Sequence, residues 1–156
     1  MSGSAFVVIV NYCTDRLVID CLRSLASEMA CLAGGRVIVV DNAFGDGSAA
    51  HIAGAIRSHG WNDWAEVIEL PRNGRFAYRN NRAINRAAEH APAFGAIVCL
   101  NPDTVVRPGA LAALPRHFAS NPAAGIAETL CPFVPMKSPL LGACARPTTF
   151  GVAGNR

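Results

Sequence analysis

The sequence predicts an α/β fold built on a mostly parallel sheet. Two observations carry this. Four short apolar runs, Ala5–Val10, Arg36–Val40, Glu66–Leu70 and Ala96–Leu100, recur along the chain. Three of them are nearly continuous and Val/Ile-rich, the mark of parallel strands buried on both faces. Between the runs lie segments of helical period, so strand and helix alternate as βαβαβαβ. That order implies right-handed crossovers with helices on both faces of the sheet.

Each helical segment has its own signals. In the first, Val18, Leu22, Leu25, Met29 and Leu32 repeat at steps of four and three; Thr14 or Asp15 can cap its start and Gly34-Gly35 ends it. The second covers about Ala49–Ser58 with Ile52 and Ile56, and the third about Asn80–Ala91 with Ile84, Ala87, Ala88 and Ala91. After the fourth strand a helix is expected to begin at Pro108, where a missing N–H costs nothing. Pro115 falls inside its apolar pattern, so this helix should be kinked or short. Beyond Ala127 the period is lost among Pro132, Pro135, Pro139 and Pro147, and residues 128–156 read as an irregular tail apart from a globular portion at 1–127.

Composition narrows the class. The 156 residues can bury a sizeable core, and a hydrophobic fraction of 51% is that of a globular chain. Charged residues make up 16%, which is low and implies a face that another segment or partner covers. The net charge of +3 suits anionic small ligands or an anionic membrane surface; it is no nucleic-acid footprint. The one notable basic cluster is Arg72, Arg75, Arg79, Arg82 and Arg86. None of the six cysteines is paired as C-x-x-C, which argues against a zinc site or a thioredoxin-type motif. The start Met1-Ser2-Gly3-Ser4 has no positive region, and Ala5–Val10 is too short for a signal core or a membrane span, so a cytoplasmic protein is the default.

In open α/β sheets ligands bind outside the carboxyl ends of the strands. Each run here is followed there by polar residues: Asn11, Tyr12, Cys13, Thr14 and Asp15; then Asp41, Asn42, Gly45, Asp46, Gly47 and Ser48; then Pro71, Arg72 and Asn73; then Asn101, Pro102, Asp103 and Thr104. Any one cluster is explained by turns and helix caps. Four at one edge, with an acid after two of the strands, favour a binding site. A glycine-rich dinucleotide loop is missing, since residues 11–15 contain no glycine, and so is a Walker motif. The remaining way to hold a diphosphate is a divalent metal on one or two carboxylates, and Asp103 stands where such a ligand belongs. Asp41 can accept hydrogen bonds from a base or a ribose.

These residues carry a family likeness. VVIVNYCTDRLVIDCLRSL, VIVVDNAFGDGS, LPRNGRFAYRNNRAINRA and IVCLNPDTVVRPGALAAL, in that order, resemble family 2 glycosyltransferases, in particular the rhamnosyltransferase-like branch, over about Ala5 to Ala127. The resemblance implies the Rossmann-like nucleotide-binding half of a GT-A fold. It implies transfer of a sugar from a nucleotide-diphosphate sugar to an acceptor glycan or lipid-linked glycan, with inversion, Mn²⁺ or Mg²⁺, and peripheral association with the inner face of a membrane. Carried over by residue, Asn11 and Tyr12 line the nucleotide pocket, Asp41 contacts the base, Asp46 lies in the following loop, and Asn73 and Asn81 flank the nucleotide. Asn101-Pro102-Asp103 stands for the family's D-x-D signature, with Asp103 as metal and diphosphate ligand.

Two departures modify the expectation. Arg75 and Arg79 occupy positions that are glycine in the family pattern N-x-G-F-A-x-G-N-N. Arginine there is expected to crowd the pocket edge or strain the backbone, unless it points to solvent or meets phosphates. Thr129–Arg156 contains no Asp or Glu, and Glu128 is the last acid. A general base for the acceptor hydroxyl is therefore not identified. The expectation is a truncated chain lacking the half that completes the active site, with a non-catalytic remnant of weak or no nucleotide binding as the alternative.

Overall fold

The computed structural model describes residues 4–32, 34–42, 45–121 and 123. Glu128 and the tail at 128–156 lie outside the described residues. Among the described residues four strands form: β1 (Ala5–Asn11), β2 (Val37–Asp41), β3 (Ala65–Glu69) and β4 (Ala96–Leu100). They make one parallel sheet in the order β3-β2-β1-β4. Four helices alternate with them: α1 (Asp15–Leu25), α2 (Ser48–Ser58), α3 (Phe76–His90) and α4 (Ala110–Ser120). The α/β parallel architecture read from the sequence is the one observed.

Strand period divides the core in two. Val7, Ile9, Val37 and Val39 point to one face, where Val18, Leu22 and Leu25 of α1, Ile52 and Ile56 of α2, and Leu111 of α4 cover them. Phe6, Val8, Ile38 and Val40 point to the other, covered by Ala83 and Ala87 of α3. Each β2 residue is buried, as a strand flanked on both edges and both faces requires. β3 and β4 stand at the edges and are less covered; Cys99 of β4 is exposed. The approach to β1 is so close that a side chain at Gly35 would lie 1.7 Å from the Ala5 carbonyl oxygen, so only glycine fits there.

Three helix boundaries differ from the sequence reading. The first helix ends at Leu25, and Ala26–Leu32 continues as a 3-10 segment. Within that segment Glu28 turns inward, is 4% exposed, and accepts hydrogen bonds from the N–H groups of Gly109 (2.8 Å) and Leu111 (3.1 Å). A buried carboxylate thus caps the start of α4 from 81 and 83 residues away. The fourth helix accordingly starts at Ala110 instead of Pro108 and runs on past Pro115 to Ser120. Capping by Glu28 and burial of Leu111 outweigh the hydrogen bond that proline cannot make. The third helix begins four residues before the expected Asn80, at Phe76; its cap, Arg75, makes no side-chain capping bond, so the start carried no sequence signal.

On the outer side of β3, Arg86 Nη2 donates to Glu66 Oε2 at 2.8 Å, and His90 Nε2 lies 2.5 Å from Glu66 Oε1. Burial opposes ionisation of Glu66, but the bonds from Arg86 and His90 outweigh it and hold the carboxyl below its ordinary value of 4.5.

Two outcomes follow. Glu28→Ala strands two N–H groups at the buried end of α4 and should cost about 2 kcal/mol in urea unfolding; Glu28→Gln, which keeps an acceptor, should cost less. Equal losses in the two variants would remove the capping role. Glu66 titrates lower folded than unfolded, so its stabilisation is present above pH ~4.5 and lost as pH falls through the folded value. Unfolding free energy should decline on that acid limb, and Glu66→Gln should flatten the decline. Asp15 and Asp46, also held low, would account for any limb that remains.

Candidate functional site

Because the four strands are parallel, their carboxyl ends share one edge, and the loops after them meet there. Asn11 pairs with Asp41 in register, and Asp41 with Glu69. Asn11 closes β1 and is fully buried. Its amide nitrogen donates to Asp41 Oδ1 at 2.6 Å and to Ser48 Oγ at 2.8 Å. Its side-chain oxygen accepts from the backbone N–H and the hydroxyl of Thr14, both at 3.1 Å. An asparagine side chain has two donors and two lone pairs, so all four positions are taken. Asn11 holds the site together and has no bonding capacity left for a ligand. Thr14, expected as a cap for α1, is instead spent on Asn11, and no side-chain cap bond forms.

Asp41 is 2% exposed, and both of its bonds fall on Oδ1. Ser48 opens α2. Its hydroxyl accepts from Asn11 and lies 3.1 Å from Asp41 Oδ1 and 2.5 Å from Asp46 Oδ1. With one proton it serves one carboxylate at a time. Asp46 is exposed, and the Ser48 hydroxyl, then the Ser48 N–H, hold its carboxyl below the ordinary range. Ser48 was in the polar cluster after the second strand but carried no role in the sequence reading. Its spacing two residues after Asp46 and directly at a helix start was the available signal.

Asn42 was likewise passed over. It is 2% exposed; its amide nitrogen donates to Asn73 Oδ1 at 2.8 Å and its oxygen accepts from the Gly74 N–H at 2.9 Å. The loop after β3 is thereby fastened to the end of β2. Gly74 packs closely there: a Cβ would fall 2.1 Å from Tyr78 Cδ1, so the Tyr78 ring would have to shift to admit one. The Arg72 guanidinium sits over the Tyr78 ring, 5.1 Å from its centroid. Beside this loop a hollow opens between Gly45, Glu69, Leu70 and Pro71.

Tyr12 and Cys13 are exposed after β1. Cys13 adopts φ 56°, the single non-glycine residue with positive φ among the described residues. Desolvation, then the Asp46 carboxylate beside it, push its thiol above the ordinary value, so it is no activated nucleophile.

On the β4 side, Asn101 and Asp103 are exposed in a turn closed by the Thr104 N–H to the Asn101 carbonyl at 3.1 Å. The segment is anchored beyond by Val106 N–H to Ser24 Oγ at 2.9 Å. Asp103 lies near enough to α1 to act on Cys21, whose thiol is pushed up to about 12 by burial and then by that carboxylate. The structure therefore joins Asn11, Asp41 and Asp46 through Ser48, ties Asn73 to Asn42, and sets Asp103 at the same end of the sheet across β1. Asn81 is exposed on α3, the sixth residue of that helix, and makes no hydrogen bond to this network among the described residues.

The expected strain at Arg75 and Arg79 is not found. Arg75 is extended at φ −74° and ψ 168°, and Arg79 lies within right-handed α3. Helix formation from Phe76 removes any need for positive φ at these positions. Among the described residues no group of three or more His, Cys, Asp or Glu side chains is arranged to hold a metal. Asp103 is thus a single hard oxygen donor, which fits a cation that takes its other ligands from phosphates and water.

The backbone is similar to solved glycosyltransferase structures. With S. aureus TarS 1–349 the TM-score is 0.57 at 19% identity, over 75% of this chain and 32% of that one. With the same protein in complex with UDP-GlcNAc the values are 0.56, 20%, 75% and 31%. With the mannosyltransferase PcManGT from Pyrobaculum calidifontis, in complex with GDP-Man and Mn²⁺, they are 0.55, 17%, 70% and 30%. No protein-family model matches the chain, and no curated protein matches it by sequence. The chain spans about a third of the length of these structures. At such identities the likeness establishes the fold alone: a four-stranded parallel α/β sheet of the Rossmann-like GT-A type.

Proposed function

We propose that the chain is the donor-binding part of a metal-assisted glycosyltransferase that uses a nucleotide-diphosphate sugar. The observation that carries this is the convergence of the Asn11–Asp41–Ser48–Asp46 network and the Asp103 turn on one edge of a GT-A type sheet. Neighbours of that fold are held with UDP-GlcNAc and with GDP-Man and Mn²⁺. In this reading Asp41, held by Asn11, and Tyr12 receive the base and ribose. Asn73 and Asn81 border the nucleotide. Asn101 and Asp103 face the diphosphate.

Mn²⁺ or Mg²⁺ bound through Asp103 would neutralise charge on the diphosphate leaving group. The chain's own residues position the donor. Burial of Asn11 and Ser48 fixes the Asp41 carboxylate before any ligand arrives, and preorganised groups of this kind lower the cost of binding. Transfer to an acceptor glycan or lipid-linked glycan then proceeds with inversion, as a hydroxyl attacks the anomeric carbon from the face opposite the diphosphate. The group that takes the hydroxyl proton is not among the residues assigned here.

Calorimetry with UDP and GDP, with and without Mn²⁺, tests the donor site. Binding should tighten with Mn²⁺, and Asp103→Ala should weaken it about ten-fold, about 1.4 kcal/mol. If Asp103→Ala binds as tightly as the parent in Mn²⁺, the metal role is wrong. The two kinds of site residue should also separate by stability. Asn11→Ala leaves the buried Asp41 carboxylate without its amide donor and should cost about 2–3 kcal/mol, whereas Asp103→Ala, at an exposed turn, should leave urea unfolding unchanged. Equal destabilisation by both would contradict the division between supporting and ligand-facing residues.

A further inference from the structure

Glu69 stands at the ligand edge without a part in the network around Asn11. It ends β3 in register with Asp41 at the end of β2. Side chains alternate along a strand, so residues paired in register share a face of the sheet. Val39 and Val67, two positions before each, both lie on the face covered by α1 and α2. Asp41 and Glu69 therefore stand side by side on that face. Glu69 is exposed and lines the hollow with Gly45, Leu70 and Pro71. The Leu70 N–H donates to the Asp41 carbonyl at 3.0 Å, which fixes this wall of the hollow against the end of β2.

Neither carboxyl group is neutralised. Among the described residues no Lys, Arg or His pairs with Asp41 or Glu69. Arg72, three residues beyond Glu69, sits over the Tyr78 ring instead. Glu69 makes no side-chain hydrogen bond among the described residues. Asp41 is 2% exposed, and both bonds to its side chain fall on Oδ1. Its Oδ2 is thus an acceptor in a nearly dry place, without a donor among the described residues.

The chemistry of the pair discriminates between bases. A carboxylate only accepts hydrogen bonds. Two of them at one edge call for a base with two donors side by side. Guanine offers N1–H and its 2-amino group. Uracil and thymine offer one donor, N3–H, between two carbonyl oxygens, so a second carboxylate would face one of those oxygens. Adenine and cytosine offer an amino group beside an unprotonated ring nitrogen. Each of these sets an acceptor against an acceptor, at the cost of leaving a desolvated polar group unpaired. The hollow of about 440 Å³, into which Gly45 puts no side chain, is of ligand-pocket size and admits a purine.

We propose that Glu69 is a specificity-determining residue of the donor site and, with Asp41, selects a guanosine diphosphate sugar. Asp41 Oδ2 accepts from the guanine N1–H, and the Glu69 carboxylate accepts from the 2-amino group. This role depends on the donor-binding function proposed for the edge and adds the identity of the base.

The test is calorimetry of the full chain in Mn²⁺ with GDP, inosine diphosphate and UDP. Inosine diphosphate keeps N1–H and lacks the 2-amino group. GDP should bind about ten-fold more tightly than inosine diphosphate and about a hundred-fold more tightly than UDP. Glu69→Ala should weaken GDP about ten-fold and leave inosine diphosphate unchanged. Glu69→Gln, which keeps one acceptor, should retain part of the GDP advantage. Because Glu69 is exposed, both variants should unfold in urea with the parent. If Glu69→Ala weakens all three nucleotides alike, or leaves the lead of GDP over inosine diphosphate intact, Glu69 does not read the base. UDP binding as tightly as GDP overturns the guanine assignment and leaves the donor site standing. Binding of none of the three by the folded chain removes the donor site and the guanine assignment together.

Discussion

The carboxamide of Asn11 is the joint on which the ligand edge depends. It is fully buried, and it gathers the turn before α1, the last residue of β2 and the first residue of α2 into one hydrogen-bonded unit. Asp41 is the reason the joint is needed. A carboxylate 2% exposed at the end of a central strand is costly unless donors surround it, and Asn11 and Ser48 are those donors. The same Ser48 hydroxyl reaches Asp46, so the buried and exposed carboxylates of this edge share one proton donor.

A second polar burial does comparable work on the other side of β1. Glu28 anchors the segment after β4 by capping α4, and Ser24 fixes Val106 within it. The Asp103 turn is thereby suspended between β4 and two backbone anchors, while its own side chain stays exposed. Asn11, Asn42, Ser48 and Glu28 are buried and fasten loops, Asp46 and Asp103 are exposed, and Asp41 is buried with both of its side-chain bonds on Oδ1. Arg75 and Arg79 have ordinary backbones, with no strained turn at either position.

The fold class was legible because it rests on local period. Val7, Ile9, Val37 and Val39 alternate with Val8, Ile38 and Val40 to cover two faces, and such runs leave little choice but a doubly covered parallel sheet. That Asn11, Asp41, Asn73 and Asp103 gather at one end was legible for the same reason, since Asn11 and Asp41 close strands of common direction and Asn73 and Asp103 lie in the loops just after two others. Boundaries were less so. The start of α4 is capped by Glu28, whose partners lie more than 80 residues on. Propensity has no access to a contact of that range.

By itself, then, the amino-acid order determined the strands, their direction and the polar residues delivered to the carboxyl edge, because periods of 2 and 3.6 residues and turn chemistry act over a few positions. Only the tertiary structure decided which of those residues turn inward. Asn11 reads as a ligand contact until Asp41, Ser48 and Thr14 are seen to occupy all four of its bonds. Asn42 reads as a turn residue until it is seen to fasten Asn73 and Gly74. Burial and hydrogen-bond saturation are properties of groups brought together from 30 or more residues apart, and the packing of the sheet against its helices is what brings them together.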